Sequence, residues 1–295
     1  MSPNAPAFDL QSHSLHSDGE LAPAGVVAAA AASGVKLLSV TDHDSVAGVA
    51  EARAAGSQHG ITVVPGVEIS VLDEPAEDLH LLGYLIDTDN EPLAAQLESS
   101  RLERKHRATR IVQRLRELGW AVDTDYLAKL VRGGKPVGRP HLAQAVVDHP
   151  DNQDRLDSEG VNEPSAFLVA YLIEGTPGFL PRSAPSMADA IELIHGAGGL
   201  AVWAHPFWDI DAGDAVLAAL ERFHGYGLDG VEAFYVTHNR EQTELLVRKA
   251  AELGLLTTGS ADFHGHAHSR FNRFRAFETF SMTPNLGPIA QSTIG

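Results

Sequence analysis

The chain of 295 residues contains no cysteine, only three methionines and three tryptophans, and its aromatic residues make up 6% of the total. The lack of cysteine excludes disulfides, thiolate nucleophiles and zinc sites built on thiolates. Any metal site must therefore use imidazole and carboxylate ligands. The chain is well supplied with these, since it has 15 histidines and 39 aspartates and glutamates.

Positive charge is also scarce, with 22 lysines and arginines and a formal net charge of −17. Because binding along duplex nucleic acid relies on a broad positive potential, this balance argues against long duplex partners. A short anionic substrate is compatible with it if a metal or a local basic patch offsets the field. No run approaches the roughly 20 apolar residues of a membrane span, and the opening "MSPNAPAF" lacks a secretory signal pattern. We therefore expect a cytoplasmic protein without membrane association, whose oligomeric state the sequence does not indicate.

Short apolar segments alternate with alanine-rich segments over much of the chain. The apolar segments predict strands at 8–10, 36–40, 61–69, 79–86, 199–205, 230–236 and 255–262, and the alanine-rich segments predict helices at 22–33, 45–58, 186–197, 213–225 and 240–253. Glycines such as Gly60 and Gly254 follow these helices, as is typical of C-terminal caps. The alternation predicts an α/β protein with a parallel sheet, which is either a barrel or a doubly wound layer.

The alternation stops between about residues 88 and 185, where a long charged helix, roughly 93–118, leads into a segment punctuated by proline and glycine. We interpret 88–185 as an inserted, mainly helical subdomain that caps the substrate, and 1–87 with 186–295 as the main domain. The first seven residues and the tail from about Ser281 to Gly295 carry turn-forming residues and little pattern, so we expect loose ends.

Histidines and acids recur where the predicted strands end. They are His13, His16 and Asp18 after the first strand, Asp42, His43 and Asp44 after the second, Glu68 in the third, His80 near the start of the fourth, His205 after the fifth, and Asp262, His264 and His266 after the last. Gln11, another possible ligand, also follows the first strand. The carboxyl ends of the strands of a parallel barrel lie on one side, so these residues should converge. Mn²⁺, Fe²⁺ and Zn²⁺ all accept such ligands, and two or three ions could share them, with Glu68 as the bridging carboxylate.

The motifs "DLQSHSLHSDG", "TDHD", "GVE", "LHLLGY", "AHP" and "DFH", in this order, resemble those of the polymerase and histidinol phosphatase (PHP) family of metal-dependent phosphoesterases. The likeness extends from about Phe8 to Phe280 and is greatest to bacterial members that act on AMP and 3′,5′-nucleoside bisphosphates. It implies a distorted (βα)7 barrel similar to a TIM barrel, with the helical insertion. It also implies three ligand sets: His13, Glu68 and Asp262; Asp18, His43 and His264; and Glu68, His80 and His205.

One position departs from the family pattern, which usually opens with His-x-His, because Gln11 stands where the first histidine is expected. An amide oxygen is a weaker, neutral ligand, so the first metal could bind less tightly or be absent. His16 could substitute for the missing histidine or face outward. The number of metal ions is therefore left open.

The resemblance implies hydrolysis of phosphate monoesters of small nucleotides, such as AMP, 3′,5′-nucleoside bisphosphates and short 5′-phosphorylated oligonucleotides. We expect a hydroxide held by metals on Asp18, Glu68 and Asp262 to attack phosphorus. "RLERKHRATRIVQRLR" holds seven of the 22 basic residues, and guanidinium groups match phosphate geometry. The candidates for substrate binding are Arg101, Arg104, Arg139, His141 and His238, and the aromatic residues Phe207, Trp208, Phe234 and Tyr235 are candidates for stacking on a base.

Two other functions are compatible with the same residues. A histidinol phosphatase would share the fold and the metals, although the helical insertion favours a nucleotide substrate. A regulatory domain that binds metal but has lost activity is the alternative from another class, and Gln11 is its only support.

Overall fold

The computed structural model describes residues 6–73, 76–132, 137–181 and 183–292. The chain forms two compact units, one made of Met1–Glu98 with Ala184–Gly295 and the other of Ser99–Ser183. Among the helices of the described ranges, none combines the length and the apolar composition that crossing a bilayer requires.

The first unit is built on one sheet of seven strands that pair in sequence order. The strands are β1 (Phe8–Asp9), β2 (Leu37–Val40), β3 (Thr62–Asp73), β4 (Ala76–Tyr84), β5 (Leu200–Trp203), β6 (Gly230–Tyr235) and β7 (Leu256–Ser260). The backbone N–H of Leu10 donates to the carbonyl of Gly259 at 3.2 Å, which links the chain after β1 to β7. The sheet is therefore nearly closed, and the predicted distorted, TIM-like α/β barrel is confirmed.

The prediction of a parallel sheet is wrong for one strand. β4 pairs antiparallel with both β3 and β5, while the other neighbouring pairs are parallel. The reason is that β4 follows β3 directly, without the crossover helix that a parallel neighbour needs. As a result the amino end of β4 lies on the side where its neighbours have their carboxyl ends, and His80, the middle residue of β4, pairs with Ser70.

Eleven α-helices lie in the described ranges. They are α1 (Pro23–Ala32), α2 (Val49–His59), α3 (Glu91–Glu117), α4 (Thr124–Arg132), α5 (Arg139–Val147), α6 (Gln153–Glu159), α7 (Pro164–Tyr171), α8 (Met187–Gly196), α9 (Pro206–Asp209), α10 (Gly213–Gly225) and α11 (Arg240–Leu253). Local chemistry sets several boundaries. Ser186 and Asp189 form a capping box at the start of α8, and Gly60 and Gly254 end α2 and α11 in the left-handed conformation.

The inserted unit has its own apolar core, in which Trp120, Phe167 and Leu115 are buried. The Arg155 guanidinium lies 3.8 Å from the centre of the Trp120 ring. The unit begins at Ser99 rather than near residue 88, because the first turns of α3 bury Leu93 and Leu97 in the core of the first unit. Its role as a cap over substrate stays a prediction.

The tail is not the loose end that its sequence suggests. The backbone N–H of Asn285 donates to the Thr257 hydroxyl at 2.8 Å, and the carbonyl of Asn285 accepts from the N–H of Thr257 at 2.8 Å. Ile289, in a 3₁₀ helix at Gly287–Gln291, is fully buried. The tail thus extends the backbone hydrogen bonding of β7 and fills part of the core, which its turn-rich sequence does not show. Residues 1–5 and 293–295, also expected to be loose, lie outside the described residues.

Candidate metal centre

The strand ends bring the eight predicted metal ligands together at one end of the barrel. His13, His43, His205, Asp262 and His264 follow strands, Glu68 lies within β3, His80 lies in the middle of β4, and Asp18 lies in the loop after β1. Three groups of their ligand atoms are close enough to hold an ion: His13, Asp18, His43 and His264; His43, Glu68 and His80; and His13, Glu68 and Asp262. We call these eight residues the histidine–carboxylate cluster.

Glu68 is at the centre of the cluster and is fully buried. Its Oε1 lies 3.0 Å from Nδ1 of His80 and 3.2 Å from Nε2 of His205. Its Oε2 lies 3.1 Å from Nε2 of His13 and 3.5 Å from Nδ1 of His43. One carboxylate therefore faces four imidazoles, two on each oxygen, as a bridging ligand would.

Asp18 marks the outer side of the cluster, and its side chain is 40% exposed. Its carboxylate lies 3.5 Å from Nδ1 of His13, 3.7 Å from Nε2 of His43 and 3.5 Å from Nε2 of His264. Gly19 makes this return of the chain possible, because a Cβ atom there would lie 2.2 Å from the carbonyl oxygen of His13. Gly19 in "HSDG" thus allows the chain to turn so that Asp18 lies close to His13.

The donor set of the cluster fits a divalent cation. Four buried ligand atoms form no hydrogen bond among the described residues, namely His13 Nε2, His43 Nδ1, Glu68 Oε2 and Asp262 Oδ1, although Nε2 of His13 lies 3.1 Å from both carboxylate oxygens. Buried polar atoms without hydrogen bonds are costly. Bound metal ions would relieve this cost, because ionised carboxylates and neutral imidazoles donate lone pairs to them.

The electrostatics of the cluster favour the ligand forms of its three carboxylates and of His43, because the pKa of each is lowered, whereas the pKa values of His13, His205 and His264 are raised, which favours protonated rings. Burial raises the pKa of the Glu68 carboxyl, but His43, His80 and the other imidazoles more than offset this and hold it well below its ordinary range. The same opposition lowers the pKa of Asp262 to about 2. Burial lowers the pKa of His43 to about 3, so its ring is neutral. The acids beside His13 overcome burial and hold its pKa well above the ordinary value, so it carries a proton that a metal would displace.

Side chains behind the cluster orient its members, and the sequence alone did not assign them this role. The Tyr235 hydroxyl donates to Oδ2 of Asp262 at 2.8 Å. Asp42 accepts a 2.6 Å hydrogen bond from the Ser17 hydroxyl, which lies 3.2 Å from Nδ1 of His13. Asp42 therefore supports a ligand rather than joining the cluster. Such outer contacts hold ligands in the geometry a metal needs.

Three of the seven non-glycine residues with positive φ in the described ranges lie at or beside the cluster. His205, Asp262 and Asp44 have positive φ angles of 27°, 53° and 50°. Non-glycine residues in this conformation cost roughly 1–3 kcal/mol each, and they persist where the surroundings hold them. At His205 the backbone N–H donates to Oε2 of the buried Glu232 at 3.0 Å. Glu232 was not predicted as a site residue, and its only sequence signal is an acid inside a buried strand.

Gln11 and His16, the two uncertain ligands, have different environments. Gln11 is fully buried, and its Oε1 accepts from the Ser260 hydroxyl at 3.3 Å, while its Nε2 has no partner among the described residues. His16 is exposed and belongs to none of the ion-binding groups found in the described ranges. His16 therefore does not take the place of the missing histidine.

The predicted substrate-binding residues are not gathered in one element. Arg101 and Arg104 lie in α3, and Arg139 and His141 lie in the first turn of α5, where Nδ1 of His141 accepts from the backbone N–H of Gly138 at 3.1 Å. His238 belongs to the first unit and is buried, and its Nδ1 lies 3.1 Å from the carbonyl oxygen of Ala233. Burial lowers the pKa of His238 to about 4, which favours the neutral ring, and its Nε2 has no hydrogen-bond partner among the described residues. Its role in substrate binding stays a prediction.

Several known proteins are similar to this chain, and they include a phosphatase and a metal-dependent phosphoesterase. The profile of the PHP domain family matches residues 9–140. A 5′-3′ exoribonuclease of Haemophilus influenzae is 34% identical over 87% of this chain and 89% of its own length. A 3′,5′-nucleoside bisphosphate phosphatase of Chromobacterium violaceum is 34% identical over 87% of each chain. A crystal structure from Bifidobacterium adolescentis, described as that of a metal-dependent phosphoesterase, is 30% identical, with a TM-score of 0.72 and coverage of 90% of this chain and 91% of the other.

Proposed function

This chain belongs to the PHP domain family of metal-dependent phosphoesterases, and from that premise we propose that it hydrolyses phosphate monoesters of small nucleotides. The observation that carries the proposal is the fully buried Glu68 carboxylate between four imidazoles. The substrate class is supported by the similarity to a nucleoside bisphosphate phosphatase and to an exoribonuclease. AMP, 3′,5′-nucleoside bisphosphates and the 5′ ends of short oligonucleotides fall within it.

The cluster has ligands for two or three ions, and two of the three sets that the family resemblance implies lie within groups close enough to hold an ion, whereas the third such group contains His43 in place of His205. We propose that His13, Glu68 and Asp262 hold one ion, that Asp18, His43 and His264 hold a second, and that Glu68, His80 and His205 hold a third. When bound, such ions lower the pKa of a coordinated water toward neutrality and neutralise charge on phosphoryl oxygens.

The protein contributes position and charge to this chemistry. Burial of Glu68 and Asp262 keeps water from competing for their oxygens, and the Tyr235 hydroxyl fixes which oxygen of Asp262 faces the cluster. The exposure of Asp18 leaves the cluster open to solvent on one side, where a phosphate group can enter. Phosphate contacts by Arg101, Arg104, Arg139 and His141 stay predictions from the sequence.

Phosphate release from a set of substrates tests the proposal. The protein is stripped of metal with a chelator, reloaded with Mn²⁺, and incubated with AMP, adenosine 3′,5′-bisphosphate, a 5′-phosphorylated trinucleotide and histidinol phosphate. We expect release from one or more of the nucleotides, dependent on added metal and absent with the chelator. Release from histidinol phosphate alone would favour the histidinol phosphatase, and inactivity on every substrate with metal demonstrably bound would favour the inactive regulatory domain.

A further inference from the structure

One large aromatic side chain near the cluster remains uncovered. Trp208 is 47% exposed, whereas Trp120 and Trp203, the other two tryptophans of the chain, are 2% and 0% exposed. Of the other aromatic residues considered for base stacking, Phe234 and Tyr235 are buried. Phe207 is partly covered, and its ring meets His238 edge-on at 5.5 Å. Trp208 alone among these four presents an open ring surface to solvent.

The backbone ties Trp208 to the cluster. α9 begins directly after His205, and the backbone N–H of Trp208 donates to the His205 carbonyl at 2.8 Å. Because His205 is a candidate ligand, the position of the indole is set relative to the cluster by a single helical turn. Trp208 is therefore an exposed residue that lies close to the cluster.

A second segment that is hydrogen-bonded to the cluster contacts the indole through Phe271. The carbonyl of Phe271 accepts from the backbone N–H of His264 at 2.9 Å, and the Phe271 ring lies 5.5 Å from the His264 ring. Phe271 is buried, and its ring centre is 5.5 Å from that of Trp208 at an angle of 61°. The rings thus form a continuous path from a candidate metal ligand, through Phe271, to the exposed indole.

A positive charge lies beside this surface although the chain as a whole is strongly acidic. The Arg270 guanidinium lies 5.3 Å from the centre of the Trp208 ring and is itself in an exposed residue. An aromatic surface flanked by a cation suits a flat ring that carries an anionic group nearby. A nucleotide has both parts, whereas a sugar phosphate has no flat ring.

We propose that Trp208, supported by Phe271, is the surface on which the base of a nucleotide stacks while its phosphate lies at the histidine–carboxylate cluster. This inference rests on the proposed function and narrows it, because it makes the enzyme prefer nucleotides to sugar phosphates. Stacking tolerates every base, since each presents a π face. Selectivity among bases should therefore be weak.

Kinetics with a matched pair of substrates test the surface. Trp208→Ala should lower the ratio of kcat/KM for AMP to that for ribose 5-phosphate by about tenfold, mainly through KM, because stacking stabilises bound substrate and transition state alike. Trp208→Phe should restore most of the ratio. The control is Tyr226→Ala, which removes an aromatic ring that is 42% exposed but lies between α10 and the start of β6, at the other end of the strands. An unchanged ratio in Trp208→Ala, with the fold intact by thermal melting, would overturn the proposal.

Fluorescence provides a readout that does not depend on turnover. With two of the three tryptophans buried, quenching on mixing AMP with the Mn²⁺-loaded protein, followed before turnover in a stopped-flow instrument, reports mainly on Trp208. We expect quenching by AMP but not by ribose 5-phosphate, and its loss in Trp208→Phe. Equal emission with and without AMP would refute the stacking surface even if phosphate release is normal. Quenching by AMP without phosphate release from any substrate would refute the proposed function while supporting the surface.

Discussion

Replacement of Glu68 by glutamine gives the sharpest test of the site. Glu68→Gln keeps the size of the side chain but removes the negative charge that faces four imidazoles at 3.0–3.5 Å. It also places an N–H₂ group where one of the two oxygens stands. If Glu68 is a shared ligand, this change should weaken metal binding and catalysis together.

The expected magnitude follows from the burial of the carboxylate. One unit charge about 4 Å from another contributes roughly 4 kcal/mol at the effective dielectric constant of about 20 that suits protein sites. Since each 1.36 kcal/mol changes a rate tenfold, the loss of one such interaction should lower kcat/KM by about a thousandfold. A larger loss is expected if an ion leaves altogether.

Glu232→Gln is the matched control, because Glu232 is a second buried acid in the same barrel. Burial raises the pKa of Glu232 to about 8, so the carboxyl is largely protonated at neutral pH and glutamine resembles it closely. A glutamine can still accept from the backbone N–H of His205 and donate to the Ser260 hydroxyl, whose present partners are Glu232 and Gln11. We expect kcat/KM to stay within about tenfold of the unmodified protein.

The assay compares phosphate release from AMP with the metal content of each variant after dialysis against Mn²⁺. Thermal melting of the metal-free proteins checks that both variants are folded. The reasoning would be refuted if Glu68→Gln retained activity within tenfold at full metal content, or if Glu232→Gln were as damaging as Glu68→Gln.

Three further predictions concern residues around the cluster. Tyr235→Phe removes the hydroxyl that donates to Asp262, so Mn²⁺ affinity measured by titration calorimetry should fall by about tenfold or more; unchanged affinity would show that the hydrogen bond does not orient the ligand. Gln11→His restores an imidazole beside the cluster and should raise the affinity or the number of bound ions, as counted by elemental analysis; no change in either would mean that Gln11 lies outside the coordination sphere. The pH dependence of stability gives the third, because the unfolded Glu232 ionises above its ordinary pKa of 4.5 while the folded one keeps its proton up to about 8. The folded state thus binds the extra proton, and the free energy of unfolding of the metal-free protein falls as pH rises through this window. Glu232→Gln should remove up to about 1.4 kcal/mol per pH unit of that fall, as measured by urea unfolding at pH 5, 6 and 7. Parallel plots of unfolding free energy against pH for the two proteins would contradict the raised pKa.

Much of the fold and of the cluster could be predicted because the signals are local. Buried strands read as short apolar runs, and glycines such as Gly60 and Gly254 end helices where a left-handed residue is needed. Acids and imidazoles such as His43 and Glu68 follow or interrupt those runs at their carboxyl ends. In a parallel sheet such positions meet regardless of their separation along the chain, so the composition of the rim can be read before the structure is known.

Other features depended on pairing between distant segments. β4 runs antiparallel to β3 and β5, and this reversal explains why His80, in the middle of β4, joins ligands that follow other strands. The docking of the tail rests in the same way on bonds between Asn285 and Thr257. The apolar pattern of a strand does not contain this information, because either strand direction buries the same residues; for β4 the information lies in the connection after β3, which is too short for a crossover helix.

The sequence by itself therefore determined the α/β class, the positions of the strands along the chain and the identity of the acids and imidazoles at their ends, since each of these is recorded in residue type and short-range spacing. Only the tertiary structure decided that Asp42 and Tyr235 support ligands, that Gln11 is buried beside Ser260, and that Trp208 stays exposed on Phe271. These roles depend on which side chains approach one another across the closed barrel. Such approaches are set by packing and hydrogen bonding between segments as far apart as 249 residues, the separation of Gln11 and Ser260.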